Sequence, residues 1–161
     1  MWINDITLDN VIYIKNEGTI INGHGHTVYA GNKNRIFCFQ AKNIVLKNMK
    51  LINADPEIVR TWSGGAVHWE SGVDNCQIIN CTFENDQVSL GYGGAIWCAA
   101  NNGSVINCTF TNCIADRLNG YYGGTGGAVY VDSAADSFYI VNSTFNSNYA
   151  IEYAGAIDWK R

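Results

Sequence analysis

Three sets of side chains in this sequence could act on another molecule. They are the histidines of Gly23-His24-Gly25-His26, six cysteines, and aromatic, histidine and aspartate residues that recur beside a glycine pair. A glycine-flanked histidine could do acid–base work, but a hydrolase of the inverting glycosidase kind needs two carboxyls about 6.5–9.5 Å apart. No Asn-Thr-Asp or Asp-Asp pair stands near it, so the motif reads as a glycine-permitted turn. A lyase would want cation-binding acids with a basic residue on one face; Arg60 and Arg117 lie in loops without an acid cluster. The cysteines form no C-x-x-C pair, which argues against a zinc ribbon or a thioredoxin-like site. Gly123-Gly124-Thr125-Gly126-Gly127 lacks a following Lys-Ser/Thr and is no phosphate loop. No catalytic residue, metal or cofactor is expected from these patterns.

Composition narrows the partners. The chain has 161 residues, a net charge of −4 and a pI near 5.2, without the basic stripe that nucleic-acid binding requires. No apolar run approaches the roughly 20 residues of a membrane-spanning helix, so membrane insertion by this segment is not expected. The first residues carry no basic and apolar leader pattern. Only 15% of residues are charged and one is proline, whereas 17 are glycine and 20 asparagine. Such a chain folds, and it folds with many special turns.

Those turns recur. Ile79-Asn80-Cys81-Thr82-Phe83-Glu84-Asn85 returns as Ile106-Asn107-Cys108-Thr109-Phe110-Thr111-Asn112 and as Val141-Asn142-Ser143-Thr144-Phe145-Asn146-Ser147, with a weaker copy at residues 47–53. Alternating with it are Gly64-Gly65-Ala66-Val67, Gly93-Gly94-Ala95-Ile96, Gly126-Gly127-Ala128-Val129 and Ala154-Gly155-Ala156-Ile157. Brief alternating β segments punctuated by Asn and Gly exclude a helical repeat. The pattern predicts an all-β, right-handed single-stranded parallel β-helix of about five coils. Residues 1–18 are expected to cover its N-terminal end, and residues 19–161 to form the β-helix, which is expected to continue past them. Rungs about 4.8 Å apart would stack Asn48, Asn80, Asn107 and Asn142 in one ladder and Asn53, Asn85 and Asn112 in a second. Leu51, Phe83, Phe110 and Phe145 would stack in the core, with Ile78 and Cys81 also inward. Cys81 and Cys108 share the repeat position of Met49 and Ser143, so they read as small core residues; stacking leaves a disulfide possible but not required.

If Val67, Ile96, Val129 and Ile157 point inward, alternation sends His68, Trp97, Tyr130 and Asp158 outward as one exposed column, continued by Gln40. The loops before this strand, 54–63, 86–92, 113–125 and 149–153, add Trp62, Tyr92, Arg117, Tyr121 and Tyr122. Aromatic faces with polar neighbours suit sugar rings or protein surfaces, so these nine residues form the candidate ligand-binding set. Exterior stacks that merely stabilise the sheet are the plainer alternative. Of four N-x-S/T sequences, three (at Asn80, Asn107 and Asn142) belong to the repeat, leaving Asn102 as the better glycosylation candidate.

The alternation of Gly-Gly-Ala-Ile/Val with Asn-Cys/Ser-Thr-Phe-x-x-Asn resembles the β-helix repeats of adhesin-like proteins of methanogenic archaea. It is also similar to chlamydial polymorphic outer-membrane proteins, whose repeats carry GGA-I/L/V and F-x-x-N; Phe145 to Asn148 matches that spacing, while Phe83 and Phe110 have their Asn one position early. Ile20-Ile21-Asn22-Gly23-His24-Gly25-His26-Thr27 resembles the opening coil of pectate-lyase-like folds. The resemblance covers roughly residues 18–158. It implies cell-surface or extracellular display and adhesion to a glycan or a cell-surface protein, as part of a larger protein with further β-helix coils. Polygalacturonases share the fold and carry a Gly-His-Gly, so a polysaccharide lyase or hydrolase fragment is the second expectation. A structural stalk or fibre spacer is the third.

Overall fold

A computed structural model describes residues 4–56, 63–116 and 123–160. Every strand pairing is parallel, and no helix occurs among the described residues. The chain winds as a β-solenoid of about five turns, as the repeat predicts. One sheet has six strands: Ile12–Ile14, Phe37–Phe39, Val67–Trp69, Ile96–Cys98, Val129–Val131 and Ile157–Trp159. A nine-stranded sheet centres on Val45–Ile52 and Gln77–Glu84 and continues through Ser104–Ile106 and Thr109–Thr111 to Tyr139–Val141 and Thr144–Asn146. The third joins Gln87–Val88, Ile114–Ala115 and Tyr149–Ala150, so parts of three segments expected as loops are strands. Within the described part of residues 1–18, Ile6–Thr7 pairs with Val28–Tyr29 and Ile12–Ile14 with Phe37–Phe39, laying parallel strands over that end of the core.

The bends are built on left-handed asparagine. Asn48, Asn80, Asn107 and Asn142 have φ of 57°, 53°, 52° and 48°; Asn53, Asn85 and Asn112 have 59°, 54° and 54°. A third column, not foreseen from the repeat, comprises Asn43, Asn75, Asn102 and Ser137 at 61°, 61°, 54° and 53°. Asparagine tolerates this region better than other residues bearing a Cβ. Its amide also bonds along the stack: Asn80 Nδ2 donates to Asn48 Oδ1 (3.2 Å), Asn48 Nδ2 to Asn22 Oδ1 (3.1 Å), and Asn112 Nδ2 to Asn85 Oδ1 (3.3 Å).

At most of these bends a backbone N–H turns away from the regular ladder, and the residue after the bend in the next rung accepts it. Ser143 Oγ takes the N–H of Cys108 at 3.1 Å, Asn148 Oδ1 that of Cys113 at 2.9 Å, Asp86 Oδ1 that of Ala54 at 2.9 Å, and Cys76 Sγ that of Ile44 at 3.3 Å. Cys108 and Cys113 face the N–H groups of Cys81 and Asp86 in the same way. A small acceptor recurs at these positions, supplied by Cys, Ser, Asn or Asp, whereas Gly103 and Phe138 of the third column supply none. With Cys81, which faces the N–H of Met49, four of the six cysteines have this purpose in common, and all six are free and buried.

The core is a set of in-register stacks. Leu51, Phe83, Phe110 and Phe145 pair successively; Phe83 and Phe110 lie 4.7 Å apart at 6°, Phe110 and Phe145 4.8 Å apart at 3°. Val67, Ile96 and Val129 are fully buried, with Ile157 partly so in the last rung. The glycine pairs turn two constraints at once. Gly64, Gly93 and Gly126 have φ of 74°, 68° and 65°, while a Cβ on Gly65, Gly94 or Gly127 would strike the carbonyl of Gly94, Gly127 or Gly155 in the next rung.

Two outcomes follow for stability. Phe110→Ala is expected to cost about 3–5 kcal/mol in chemical denaturation, because it removes a fully buried ring between two others. Asp86 presents a second test: Oδ1 is bonded but buried Oδ2 has no partner, and burial pushes the carboxyl well above the usual range. Its folded pKa exceeds its unfolded one, so its contribution is complete below about pH 4 and is lost as pH rises from there towards the folded value. Asp86→Asn, which copies Asn148, should stabilise the fold by roughly 1–3 kcal/mol at pH 7, with the gain shrinking to little below pH 4. A pH-independent difference between the two proteins would contradict the assignment.

Candidate functional site

The six-stranded sheet carries the predicted column, with its register confirmed residue by residue. His68 pairs with Trp97, Trp97 with Tyr130, and Tyr130 with Asp158. Its continuation towards the N-terminus is Cys38 and Tyr13, not Gln40. The reason is local: Phe37 and Phe39 both face inward in register with Val67 and Trp69, so the residue between them takes the outer position. Gln40 lies just past the strand and donates to Glu70 Oε1 at 2.8 Å.

The column is less open than the alternation alone implies. His68 and Trp97 are half-buried, and Tyr130 and Asp158 are only 7% and 8% exposed. A second line of residues leans over it: Ser63, Tyr92, Thr125 and Tyr153 join in successive parallel bridges, each immediately before a left-handed Gly or Ala of the repeat. Tyr92 packs on Tyr130 with ring centres 4.7 Å apart at 36°. His68 lies flat on Trp97, 4.6 Å away at 13°. Beyond Tyr130, Lys160 Nζ sits 6.0 Å from its ring and 5.8 Å from that of Tyr153, and 3.0 Å from Asp158 Oδ2. The result is a strip of imidazole, indole and phenol ending in an ion pair. Trp62, Arg117, Tyr121 and Tyr122 of the candidate set, and Arg60, lie outside the described residues.

Electrostatics keep the strip neutral through most of its length. Burial, then the neighbouring Arg35 guanidinium, lowers His68 to about 4. Burial, then the charges of Asp132 and Asp158, pushes the Tyr130 phenol up to about 12. Arg35 is itself 3% exposed and donates from Nε to Gly64 O at 2.7 Å and from Nη2 to Ser63 O at 2.8 Å. Next to it Cys38 Sγ donates to Glu70 Oε1 at 3.4 Å. Arg35, Ser63, Cys38, Glu70, Tyr153 and Lys160 were all absent from the sequence-derived set. Tyr153 was discoverable as the residue before Ala154 in the fourth glycine copy; Arg35 offered no periodic signal. At the last rung an open groove of about 670 Å³ runs beside Lys160, lined by Ser133, Asp136, Phe138 and Trp159.

The other candidates for chemistry resolve into structure. Gly23-His24-Gly25-His26 is a turn, with His24 at φ 51°, Gly25 at 86°, and the His26 N–H donating to Gly23 O at 2.9 Å. Asn102 is exposed but sits at a bend of the third column, not in a loop, and Ser104 of the same sequence is buried with its hydroxyl unbonded. Among the described residues, no three His, Cys, Asp or Glu side chains converge on a point where a metal ion would be held.

Burial holds the Cys38 and Cys98 thiols at about 12 and Cys76 at about 11. Cys113 is raised by burial, and Cys81 by its hydrogen bond to Cys108 and then by burial; the same bond brings Cys108 down. None is both exposed and ionised, the condition for a reactive cysteine.

No protein family, no curated protein and no solved structure matches the chain. The class established by the fold is therefore the parallel β-solenoid.

The thiol assignment is directly measurable. Native protein at pH 8 should give almost no reaction with an aromatic disulfide reagent over minutes, and six equivalents after unfolding. One or more fast-reacting native thiols would show that a cysteine is exposed.

Proposed function

We propose that this chain is a non-catalytic, adhesin-like β-helix module, displayed outside the cell, that binds glycan over the strip of His68, Trp97 and Tyr92, which Tyr130 and Asp158 continue beneath their covering residues. The observation that carries the reading is the in-register stacking of these side chains on one face, flanked by Tyr153 and Lys160. Sugar rings present C–H faces that lie on aromatic side chains and hydroxyls that bond to polar neighbours, and the strip offers rings along its length with an ion pair at its end. Its regular spacing suits a linear, repetitive ligand better than a single small molecule. The resemblance of the repeats to adhesin-like proteins supports surface display.

Further rungs of a larger protein, seated on the open edge of the last rung, belong to the same reading. Tyr139, Val141, Tyr149 and Trp159 are exposed there, in strands paired on one side only, and Ile151 is exposed just past one of them.

Half-buried Trp97 can be truncated without opening the core. On an array of plant, microbial and host glycans, selective binding is expected, with Trp97→Ala lowering affinity about tenfold or more, the scale of one lost stacking contact of 1–2 kcal/mol. Release of new sugar ends from a polysaccharide panel would instead identify a lyase or hydrolase. Silence across the array, with an intact fold by circular dichroism, would favour a passive stalk.

A further inference from the structure

One member of the strip has its hydrogen-bonding character set from inside the protein. The Ser63 carbonyl lies 3.0 Å from His68 Nδ1 and accepts the Nη2 hydrogen bond of Arg35 at 2.8 Å. A carbonyl oxygen only accepts, so Nδ1 must carry the ring proton, and in a neutral imidazole that leaves a lone pair on Nε2. The surroundings keep the ring neutral. Burial and the Arg35 guanidinium oppose a second positive charge; the Ser63 hydrogen bond and Glu70 act the other way and lose, leaving the ring to charge only near pH 4. Across the strand, Cys38 is an un-ionised thiol and Trp97 carries no charge. Nε2 has no partner among the described residues.

Arg35 itself is too deep to reach a ligand, at 3% exposure. Its second bond, Nε to Gly64 O, ties down the glycine that starts the strand bearing His68. The guanidinium fork thus fixes two successive carbonyls, which a single-point ammonium could not do.

We infer that Arg35 is a positioning residue that acts through the Ser63 carbonyl to hold His68 as the Nδ1–H tautomer, making Nε2 an acceptor for a ligand hydroxyl and biasing the strip towards neutral, polyhydroxylated ligands over anionic ones. The ligand preference rests on the strip being the binding face; the tautomer does not.

Long-range proton–nitrogen NMR on the full chain, with the His68 signals assigned from a His68→Phe variant, tests the relay without any ligand. The expected result is an unprotonated Nε2 whose shift stays constant from pH 8 to pH 6. An Nε2–H tautomer, or a titration at the ordinary histidine value near 6.5, would overturn the inference. Arg35→Gln and Arg35→Lys should both give a mixed tautomer; Arg35→Gln, by removing the cation, should also raise the titration midpoint by about one pH unit or more. Should neither fold, the wild-type spectrum decides. Binding then separates the two claims. At pH 7, neutral oligosaccharides should bind the wild type better than uronate polymers do, and His68→Phe, which keeps the stacking, should weaken them about tenfold. Preference for the anionic sugars sinks the selectivity whatever the tautomer. The expected tautomer with no glycan bound sinks the binding face and the selectivity with it, while leaving the Arg35–His68 relay intact.

Discussion

Everything in this solenoid depends on turning the backbone sharply within each rung while pairing the N–H groups that most of the bends displace. A parallel stack provides strand hydrogen bonds automatically, because each rung finds its neighbours above and below. The bends are different: a left-handed residue rotates the next peptide out of the ladder. Three columns of asparagine with serine at some ends make those rotations, and most of the residues after them accept the displaced N–H from the preceding rung. This explains a composition rich in asparagine and a scatter of cysteines that no disulfide or metal accounts for. Asp86 shows the cost of the same device when the acceptor is a carboxyl, since only one oxygen is used and the other is buried unbonded. Asn148 meets the same need with its amide, accepting the Cys113 N–H and donating Nδ2 to Phe110 O at 3.2 Å.

Close stacking also creates the candidate site. The second glycine of each pair admits the carbonyl of the following rung, which draws the backbone tightly together at the start of the six-stranded sheet. Side chains just beyond that point are then held at rung spacing, so His68 lies flat on Trp97 and Tyr92 leans on Tyr130. A flat, repetitive, half-buried surface of this kind has little conformational entropy to lose on contact with a ligand. Buried Arg35 adds rigidity from beneath, because two carbonyls at the edge of the strip are bonded to one guanidinium. The strip is consequently uncharged along most of its length and charged only at its end, where Lys160 meets Asp158.

The sequence by itself determined the solenoid, the inward stacks and the composition of the column, since period and residue type are local information. Val67, Ile96 and Val129 faced inward as alternation required, and Phe83, Phe110 and Phe145 stacked as their shared repeat position required. Two asparagine ladders were legible because their copies are similar; the third was not, because Asn43, Asn75, Asn102 and Ser137 lie in dissimilar sequence. What only the tertiary structure decided depended on contacts between rungs. Alternation counts positions along one strand, so it could not tell that Cys38 rather than Gln40 continues the column, nor that Tyr130 and Asp158 are covered. The Arg35 fork reaches carbonyls 28 and 29 residues away, a separation that no local pattern encodes. The tautomer and charge of His68 follow from that fork and from burial, both of which exist only once the rungs are stacked.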